Sequence, residues 1–417
     1  MKRIKVFKFG GASVKSPEAV QNVGRIISAH TEDQLLVVVS AMGKTTNALE
    51  AVVSLAQQGK SPDKELKAIF DFHISLSQSL LNDSKEVVAT INEYKKGIEA
   101  IVKELMPYDQ QYDKIVAFGE LMSTLIVSAY LTQIDINCRW IDARKYIVTD
   151  SHFRSAQIDW ANTESNIRAL RNTLASQIVI TQGFIGANTA NETTTLGREG
   201  SDFSAAIFGA SLNAESVTIW KDVPGVMTAD PKKIPTAEVF EELPFKEAAE
   251  MTYYGASVIH PKTIKPLANK GIPLLVKSFD DVTISGTRIH ECKVDRLRPL
   301  VVFKENQCLV SCQVTDYTFV DESQIGIIFN ALSARNLKIN LMQNSAISFS
   351  FCLDFEERKL SPLIKELSQH FEVYYNTNLT LVTVKNYDEA HFEKYRNLNG
   401  VMLEQSSRST LQVLVKS

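Results

Sequence analysis

Short apolar runs alternate with helical patterns through residues 1–285, and this alternation constrains the fold more than any other feature. Five runs are rich in Val and Ile, and several of them lack polar alternation: Lys5–Phe9, Leu35–Ser40, Ile178–Gln182, Val217–Trp220 and Pro273–Ser278. Such runs are typical of strands that a parallel sheet buries on both faces. The βαβα order therefore predicts a three-layer α/β domain with a mainly parallel sheet.

Two further parts of the chain follow other patterns. Residues 63–106 read as long helices with few breakers, and we expect a helical insertion beside the active site. After residue 285 the strands become shorter and hairpins appear. We predict two small ferredoxin-like α+β units, the first over residues 300–370 and a second, shortened one over residues 371–417.

Composition and charge exclude several classes of function. The 417 residues carry 45 Lys and Arg against 48 Asp and Glu, a net charge of −3, so we expect neither nucleic acid nor a membrane as partner. The apolar stretch Ile115–Leu131 contains Glu120 and is predicted to be a buried helix. Five cysteines without a CxxC pair, behind an N-terminus lacking a secretory pattern, indicate reduced thiols in the cytoplasm and no metal cluster.

The segment Lys8-Phe9-Gly10-Gly11 follows the first predicted strand and is the sharpest chemical signal. Two glycines let backbone N–H groups approach phosphate oxygens, and Lys8 can neutralise a transferring phosphoryl group. The alternative interpretation of these residues is an ordinary Gly-Gly turn. Gly43-Lys44-Thr45 is not a P-loop, because position 38 is Val where that motif needs Gly.

Three acidic or basic side chains elsewhere are candidates for the site, and two of them leave two interpretations. Arg198 can grip a carboxylate in bidentate fashion. Asp202 can cap the helix predicted over Phe203–Gly209, or it can orient Lys8. Glu120, in an apolar helical stretch, can bind a substrate ammonium or form a structural pair with an arginine.

Together these segments resemble the aspartate kinase (aspartokinase) family of the amino-acid kinase superfamily. Its successive motifs are matched in order by KFGGASV, VVSAMGKTTN, FGELMSTL, ITQGFIG, TTTLGREGSDFSAA, WKDVPGVMTADP and YGASVIHPKTI. The resemblance implies a carbamate-kinase-like catalytic domain followed by two ACT domains, which commonly pair into homodimers or larger homo-oligomers. It also implies transfer of a phosphoryl group from MgATP to the side-chain carboxylate of L-aspartate, the entry step to lysine, threonine and methionine.

The resemblance also assigns roles to individual residues. Lys8 and Asp202 are implied as catalytic, and Mg²⁺ is expected to be held largely by phosphates and water rather than by a protein cage. Substrate contacts are implied for Ser40, Thr46, Glu120, Arg198 and Ser201. ATP contacts are implied for Lys8, Gly10, Gly11, Lys221, Asp222, Met227, Lys232 and Ser257.

Departures from the family pattern affect the phosphate site and the regulatory half. Glu199 replaces a glycine of GRGGSD, and we expect it to point away from phosphates or toward a cation. Ser257 replaces a lysine, and Lys221 can restore that charge. The side chains expected to meet an amino-acid effector at the ACT units are neutral. They favour an effector with a neutral side chain, such as threonine. The candidate effector residues are Ser323, Gln324, Ile325, Asn340, Gln343, Asn344 and Ser345.

Two alternatives to aspartate kinase stay open at this point. One is a kinase for another amino-acid carboxylate, such as that of glutamate or N-acetylglutamate. A pair formed by Glu120 and Arg198 would demand a free ammonium and a carboxylate, which argues against acetylated substrates. The other is a catalytically weak amino-acid sensor on the same scaffold, suggested by Glu199 and Ser257.

Overall fold

The computed structural model describes residues 3–255, 259–294, 297–315 and 319–416. The chain divides into two compact units. The first holds most of the chain up to Val294. The second holds the later residues together with two short earlier stretches, 227–238 and 250–255.

An eight-stranded sheet lies at the centre of the first unit, with the strand order β3-β5-β2-β1-β8-β10-β11-β9, and a small sheet has the order β4-β6-β7. The strands are β1 (Ile4–Phe9), β2 (Gln34–Val39), β3 (Cys138–Ile141), β4 (Val148–Thr149), β5 (Ile178–Gln182), β6 (Ile185–Asn188), β7 (Thr193–Thr195), β8 (Ser216–Lys221), β9 (Glu242–Pro244), β10 (Leu274–Ser278) and β11 (Thr287–His290). In the large sheet only the β10–β11 pair is antiparallel.

Helices surround this sheet, and their bounds follow the apolar periodicity of the sequence. Ser16 caps the first of them by accepting the Ala19 N–H. The helices of this part of the chain are α1 (Pro17–Ser28), α2 (Thr45–Gln57), α3 (Asp63–Leu80), α4 (Lys85–Val102), α5 (Tyr108–Gln133), α6 (Trp160–Arg168), α7 (Arg171–Leu174), α8 (Gly200–Leu212), α9 (Phe245–Tyr253) and α10 (Pro261–Ala268).

The central strands are buried on both faces. Phe7 and Val37 point into a core built with α1, α2, α3 and α5, whereas their neighbours Val6 and Val38 are equally buried on the opposite face. Helix α8 packs on β1, β2 and β8. Burial on both faces explains why these runs lack polar alternation, and the predicted α/β class is confirmed.

Helix α5 runs through the core of the first unit. Its length and apolar composition alone would suit a membrane span, but 67% of its most apolar window is buried inside the protein. The structure therefore agrees with the prediction of a buried helix. Helices α3 and α4 pack against α5 and account for the long helical pattern of residues 63–106.

The second unit contains an antiparallel sheet with helices, as the pattern after residue 285 predicts. Its six strands have the order β13-β14-β12-β15-β17-β16. The elements are β12 (Leu300–Gln313), α11 (Glu322–Ser333), β13 (Ile339–Asn344), β14 (Ser348–Asp354), α12 (Glu357–Leu367), β15 (Glu372–Lys385), α13 (Glu389–Arg396), β16 (Val401–Ser406) and β17 (Thr410–Lys416).

Two long strands join the halves of this sheet. The first part of β15 pairs with the part of β12 that also pairs with β14, and its second part pairs with β12 and β17. Register shifts interrupt β12–β15 pairing around Gln307, and Asn378 has a left-handed φ of 56°. The two predicted ferredoxin-like units thus share one continuous sheet, and the boundary at residue 370 remains a prediction.

Candidate active site

A cavity of about 570 Å³ opens at the carboxyl edge of the large sheet. Strands β1, β2, β5 and β8 are parallel, so their carboxyl ends meet there, which is where open α/β sheets bind ligands. Nine of the residues selected from the sequence line it: Lys8, Gly11, Ser40, Thr46, Glu120, Arg198, Ser201, Asp202 and Lys221.

The twin glycines after β1 form a tight bend against a neighbouring loop. A Cβ at Gly11 would lie 2.7 Å from the Ala41 carbonyl oxygen and 2.9 Å from that of Gly43. The Gly43 N–H donates to the Gly11 carbonyl at 3.0 Å. A side chain at position 11 is therefore excluded, and the bend is more constrained than an ordinary Gly-Gly turn.

Asp202 lies between two lysines. Lys8 Nζ is 2.7 Å from one carboxylate oxygen, and Lys221 Nζ is 3.3 Å from the other. Lys8 and Asp202 are buried, with 8% and 2% of their surfaces exposed. Burial opposes ionisation of Asp202, but the two ammonium groups hold its pKa below the usual value. Asp202 stands inside the first turn of α8 and pairs with both lysines, and Glu199 occupies the N-cap position.

Glu120 projects from α5 into the same cavity and is 3% exposed. Burial raises its pKa to about 8, opposed by the Ala41 N–H and by the charge of Lys8. Among the described residues, its Oε2 atom has no hydrogen-bond partner. The structure therefore does not show the alternative pairing with an arginine, and a buried carboxylate oxygen is left for a ligand cation.

The loop before α8 brings one cation and one anion to the cavity wall. Arg198 is exposed, so its guanidinium is accessible to a carboxylate. Glu199 has a left-handed φ of 54°, a conformation that favours glycine. Burial raises the pKa of Glu199, and Lys221 is the largest influence opposing that rise. The charge of Lys221 thus acts on Glu199, and the orientation of this side chain toward a cation stays a prediction.

Small hydroxyl residues complete this wall of the cavity. Ser40 follows β2 and donates its N–H to the Phe9 carbonyl, and Thr46 stands in the first turn of α2. Ser201 is the second residue of α8 and lies beside Gly183, where a Cβ would lie only 2.5 Å from that of Ser201. Their positions are compatible with the predicted substrate contacts.

Among the described residues, the other nucleotide candidates do not line this cavity. A Cβ on Gly10 would lie 3.3 Å from Lys8 Nζ, but Gly10 does not line the cavity, and Asp222 lines a second one. Met227 and Lys232 belong to a stretch that groups with the second unit. Ser257 lies outside the described residues. Roles of these five residues in ATP binding remain predictions.

The sequence reasoning assigned no role in the site to several cavity residues, among them Asn47, Tyr112, Arg154 and Phe184. Arg154 has a left-handed φ of 65° and stacks on the Tyr112 ring at 4.3 Å. Its guanidinium also pairs with Glu50 at 3.0 Å. The loop that carries Arg154 is polar and irregular, so periodicity gives no signal there. Phe184 and Asn47 lie within the motifs ITQGFIG and KTTN and could have been found from them.

The candidate effector residues fall into two groups in the second unit. The Val320 N–H donates to the Ala346 carbonyl at 2.9 Å, which joins the start of α11 to the β13–β14 turn. Of the set, this end holds Ser323, Gln324, Ile325, Gln343, Asn344 and Ser345.

Asn340 is already engaged. Its carbonyl oxygen accepts from Lys304 Nζ at 2.8 Å, and its amide donates to Gln307 and Asp354. Gln324 closes a capping box with Asp321. These two side chains are therefore less available to an effector than the sequence suggests.

Comparison with known proteins identifies the family. The model of the amino acid kinase family matches residues 3–278. The lysine-sensitive aspartokinase 3 of Escherichia coli (strain K12) is 33% identical over 361 residues, which cover 85% of this chain and 79% of that protein. The bifunctional aspartokinase/homoserine dehydrogenase 2 of Zea mays, a chloroplastic protein, is 29% identical over 88% of this chain, which spans only 41% of that relative.

A solved structure extends the comparison to the whole chain. The crystal structure of E. coli aspartokinase III in complex with aspartate and ADP (R-state) has a TM-score of 0.85 and 30% sequence identity. The match covers 99% of this chain and 96% of that one, so it includes both units. The chain belongs to the amino acid kinase family and, within that family, to the aspartokinases.

Proposed function

We propose that this chain transfers the γ-phosphoryl group of ATP to the side-chain carboxylate of L-aspartate, giving 4-phospho-L-aspartate and ADP. This reaction is the first step toward lysine, threonine and methionine. One observation carries the proposal. A single cavity holds the Lys8–Asp202–Lys221 ion cluster, the Arg198 guanidinium and a buried Glu120 oxygen that lacks a partner among the described residues.

The charges of the cavity match the two ends of an amino-acid substrate. Glu120 offers a carboxylate to the α-ammonium, and Arg198 offers a guanidinium to the α-carboxylate. The side-chain carboxylate of aspartate would then face Lys8 and Lys221. An acetylated amino group carries no positive charge and would leave Glu120 buried and unpaired, which disfavours N-acetylglutamate.

The chemistry needs positioning and charge neutralisation more than proton transfer. A carboxylate oxygen of aspartate attacks the γ-phosphorus, the bond from that phosphorus to the bridging oxygen breaks, and ADP leaves with the electron pair. Lys8 and Lys221 offset negative charge on the transferring group, while Asp202 fixes the two ammonium groups. The bend at Gly11 allows close approach of the phosphates.

Magnesium fits this site as a companion of the nucleotide. In the part of the chain that the structure describes, no group of three or more His, Cys, Asp and Glu side chains could hold a metal. We propose that Mg²⁺ is held mainly by phosphate oxygens and water, and that it supplies further neutralisation of phosphate charge.

We propose a homodimer or larger homo-oligomer as the assembly. As the effector of the second unit, we propose a neutral amino acid such as threonine. The exposed polar side chains of Gln343 and Asn344, next to the start of α11, support this choice. The E. coli relative is named lysine-sensitive, so lysine is the alternative.

The proposed reaction is tested by coupling ADP release to a spectroscopic readout with aspartate, glutamate and N-acetylglutamate as acceptors. Turnover with aspartate that greatly exceeds turnover with the other two supports aspartate kinase. A preference for glutamate would assign a different carboxylate kinase. ADP release that no acceptor stimulates would support a sensor on a kinase scaffold.

A further inference from the structure

A second buried carboxylate on α5 is used by the protein itself. Asp113 is fully buried and lies seven residues, or about two helical turns, before Glu120, so both carboxylates lie on one face of the helix. Glu120 points into the cavity, whereas Asp113 does not line it. The structure gives Asp113 a different set of partners.

Asp113 binds two separate segments that border the cavity. Its carboxylate accepts the Arg154 N–H at 3.0 and 3.1 Å, the Thr195 N–H at 2.8 Å and the Thr195 hydroxyl at 2.7 Å. Burial raises the pKa of Asp113 to about 6, and the donors of Thr195 and Arg154 oppose the rise. These donors favour the ionised carboxylate, whose charge-assisted hydrogen bonds are strong.

The two segments also contact each other directly, next to the turn that bears Arg198. The Ala156 N–H donates to the Thr195 carbonyl at 3.0 Å. A Cβ on Gly197, which has a φ of 80°, would lie 3.1 Å from the Arg154 carbonyl oxygen. Arg198 follows at once. The bonds of Asp113 thus tie two segments to the helix that carries Glu120: the one that leads into the turn bearing Arg198, and the one that contacts this turn.

We infer that Asp113 is a positioning residue that fixes the turn bearing Arg198 relative to Glu120 on α5. The inference rests on the proposed function, in which these two side chains bind the opposite charges of one amino acid. An α-ammonium and an α-carboxylate are joined through one carbon, so both partners must be held at a set separation. Asp113 acts through the other residues and does not touch the substrate.

Asp113→Asn provides the first test. The side-chain amide of asparagine has one acceptor oxygen in place of two. Some hydrogen bonds from Arg154 and Thr195 are therefore lost, while the side-chain volume hardly changes. We expect the KM for aspartate to rise at least ~10-fold while the KM for ATP changes less than about twofold. Thr195→Val, which removes only the hydroxyl donor, should give a smaller rise and serves as a second variant.

A matched control separates positioning from general damage. Asp159 also accepts backbone and side-chain N–H groups, at the start of α6, and does not line the cavity. Asp159→Asn should leave both KM values unchanged. In a double variant, Asp113→Asn should add less than about twofold to the KM effect of Arg198→Ala, because the guanidinium to be positioned is gone. Effects that multiply would indicate a merely structural role and overturn the inference.

Hydrogen exchange gives a readout that does not depend on activity. Asp113→Asn should speed amide exchange in residues 150–156 and 193–199, with residues 34–39 of β2 unchanged. Unchanged exchange in the two segments would overturn the inference. If the wild-type protein failed to phosphorylate aspartate, the proposed function would fall, while the exchange data would still decide whether Asp113 holds the turn.

Discussion

The Lys221 ammonium lies 3.3 Å from the carboxylate of Asp202, whose other oxygen is 2.7 Å from Lys8. Strand β1 brings Lys8 to the cavity, and the end of β8 brings Lys221, because the two strands are parallel neighbours. One carboxylate thus holds two cations at the proposed position of the γ-phosphate. This arrangement supports Lys221 as a substitute for the family lysine that is Ser257 here.

Replacing Lys221 should affect the chemical step more than substrate binding. We expect Lys221→Met to lower kcat about 100-fold, the size of effect seen when one preorganised charge stabiliser is lost. The KM for aspartate should change less than about threefold, since Glu120 and Arg198 are the proposed partners of its α-ammonium and α-carboxylate. Steady-state kinetics test both values.

Lys277→Met is the matched control, because Lys277 lies on the adjacent strand over the Trp220 ring and does not line the cavity. It should retain normal turnover. A normal kcat for Lys221→Met would remove the substitution hypothesis.

Glu199→Gly should improve nucleotide binding. The change removes a carboxylate from the cavity and relieves a left-handed backbone conformation that costs a non-glycine residue roughly 1 kcal/mol. We expect the KM for ATP to fall roughly fivefold, because about 1 kcal/mol of repulsion between the Glu199 carboxylate and the phosphates is removed. Glu199→Gln separates the two causes, since it removes only the charge. If both variants bind ATP more weakly, Glu199 contributes to the site instead of opposing it.

The binding of aspartate should depend on the ionisation of Glu120. Burial raises the pKa of Glu120 to about 8, so the carboxyl is increasingly protonated as the pH falls below that value. A neutral carboxyl binds an ammonium poorly, so the KM for aspartate should rise about tenfold per pH unit below the pKa. Kinetics between pH 6 and 9 measure this slope. A flat profile would contradict the role of Glu120.

Glu120→Gln should reveal a conflict between binding and stability. The KM for aspartate should rise at least ~30-fold through loss of a charge-assisted bond. In the wild type, a pKa raised on folding stabilises the protein below the unfolded value of 4.5, and this stabilisation is lost as the pH rises toward 8. The Tm of the variant relative to wild type should therefore increase with pH over that range. A relative Tm that falls with pH would contradict this assignment.

Calorimetry with lysine, threonine and methionine tests the effector proposal. We expect heat of binding with threonine, and a weaker response for Gln343→Ala. Gln405→Ala, an exposed side chain on the opposite edge strand of the same sheet, is the control. Tight binding of lysine would contradict the proposed preference for a neutral side chain.

The central strands and the site clusters were predictable for different reasons. Val6 and Val38 are buried on the second face of the sheet, so the unbroken apolar runs predicted a parallel sheet directly. Lys8, Glu120 and Asp202 are far apart in sequence, and only the shared carboxyl edge of parallel strands brings them together. Their motifs marked them individually, and the resemblance to the aspartokinase family is confirmed.

Two other features, the start of strand β15 and the position of Arg154, could not be predicted because the local sequence pattern does not encode them. Strand β15 begins at Glu372 and continues through Asn378, although Asn378 has a left-handed φ of 56°. The position of Arg154 in the cavity wall depends on its backbone conformation and on hydrogen bonds to Asp113, which lies 41 residues earlier. Long-range backbone bonding of this kind leaves no periodic signal.

The most direct test traps the product with hydroxylamine, which converts an aspartyl phosphate into a stable hydroxamate. The proposed mechanism predicts hydroxamate formation by the wild type with MgATP and aspartate. It also predicts at least a ~1,000-fold loss for Lys8→Met, because the charge beside the Gly11 bend is removed. A wild type that forms no hydroxamate, or a Lys8→Met variant that forms it at the normal rate, would contradict the mechanism.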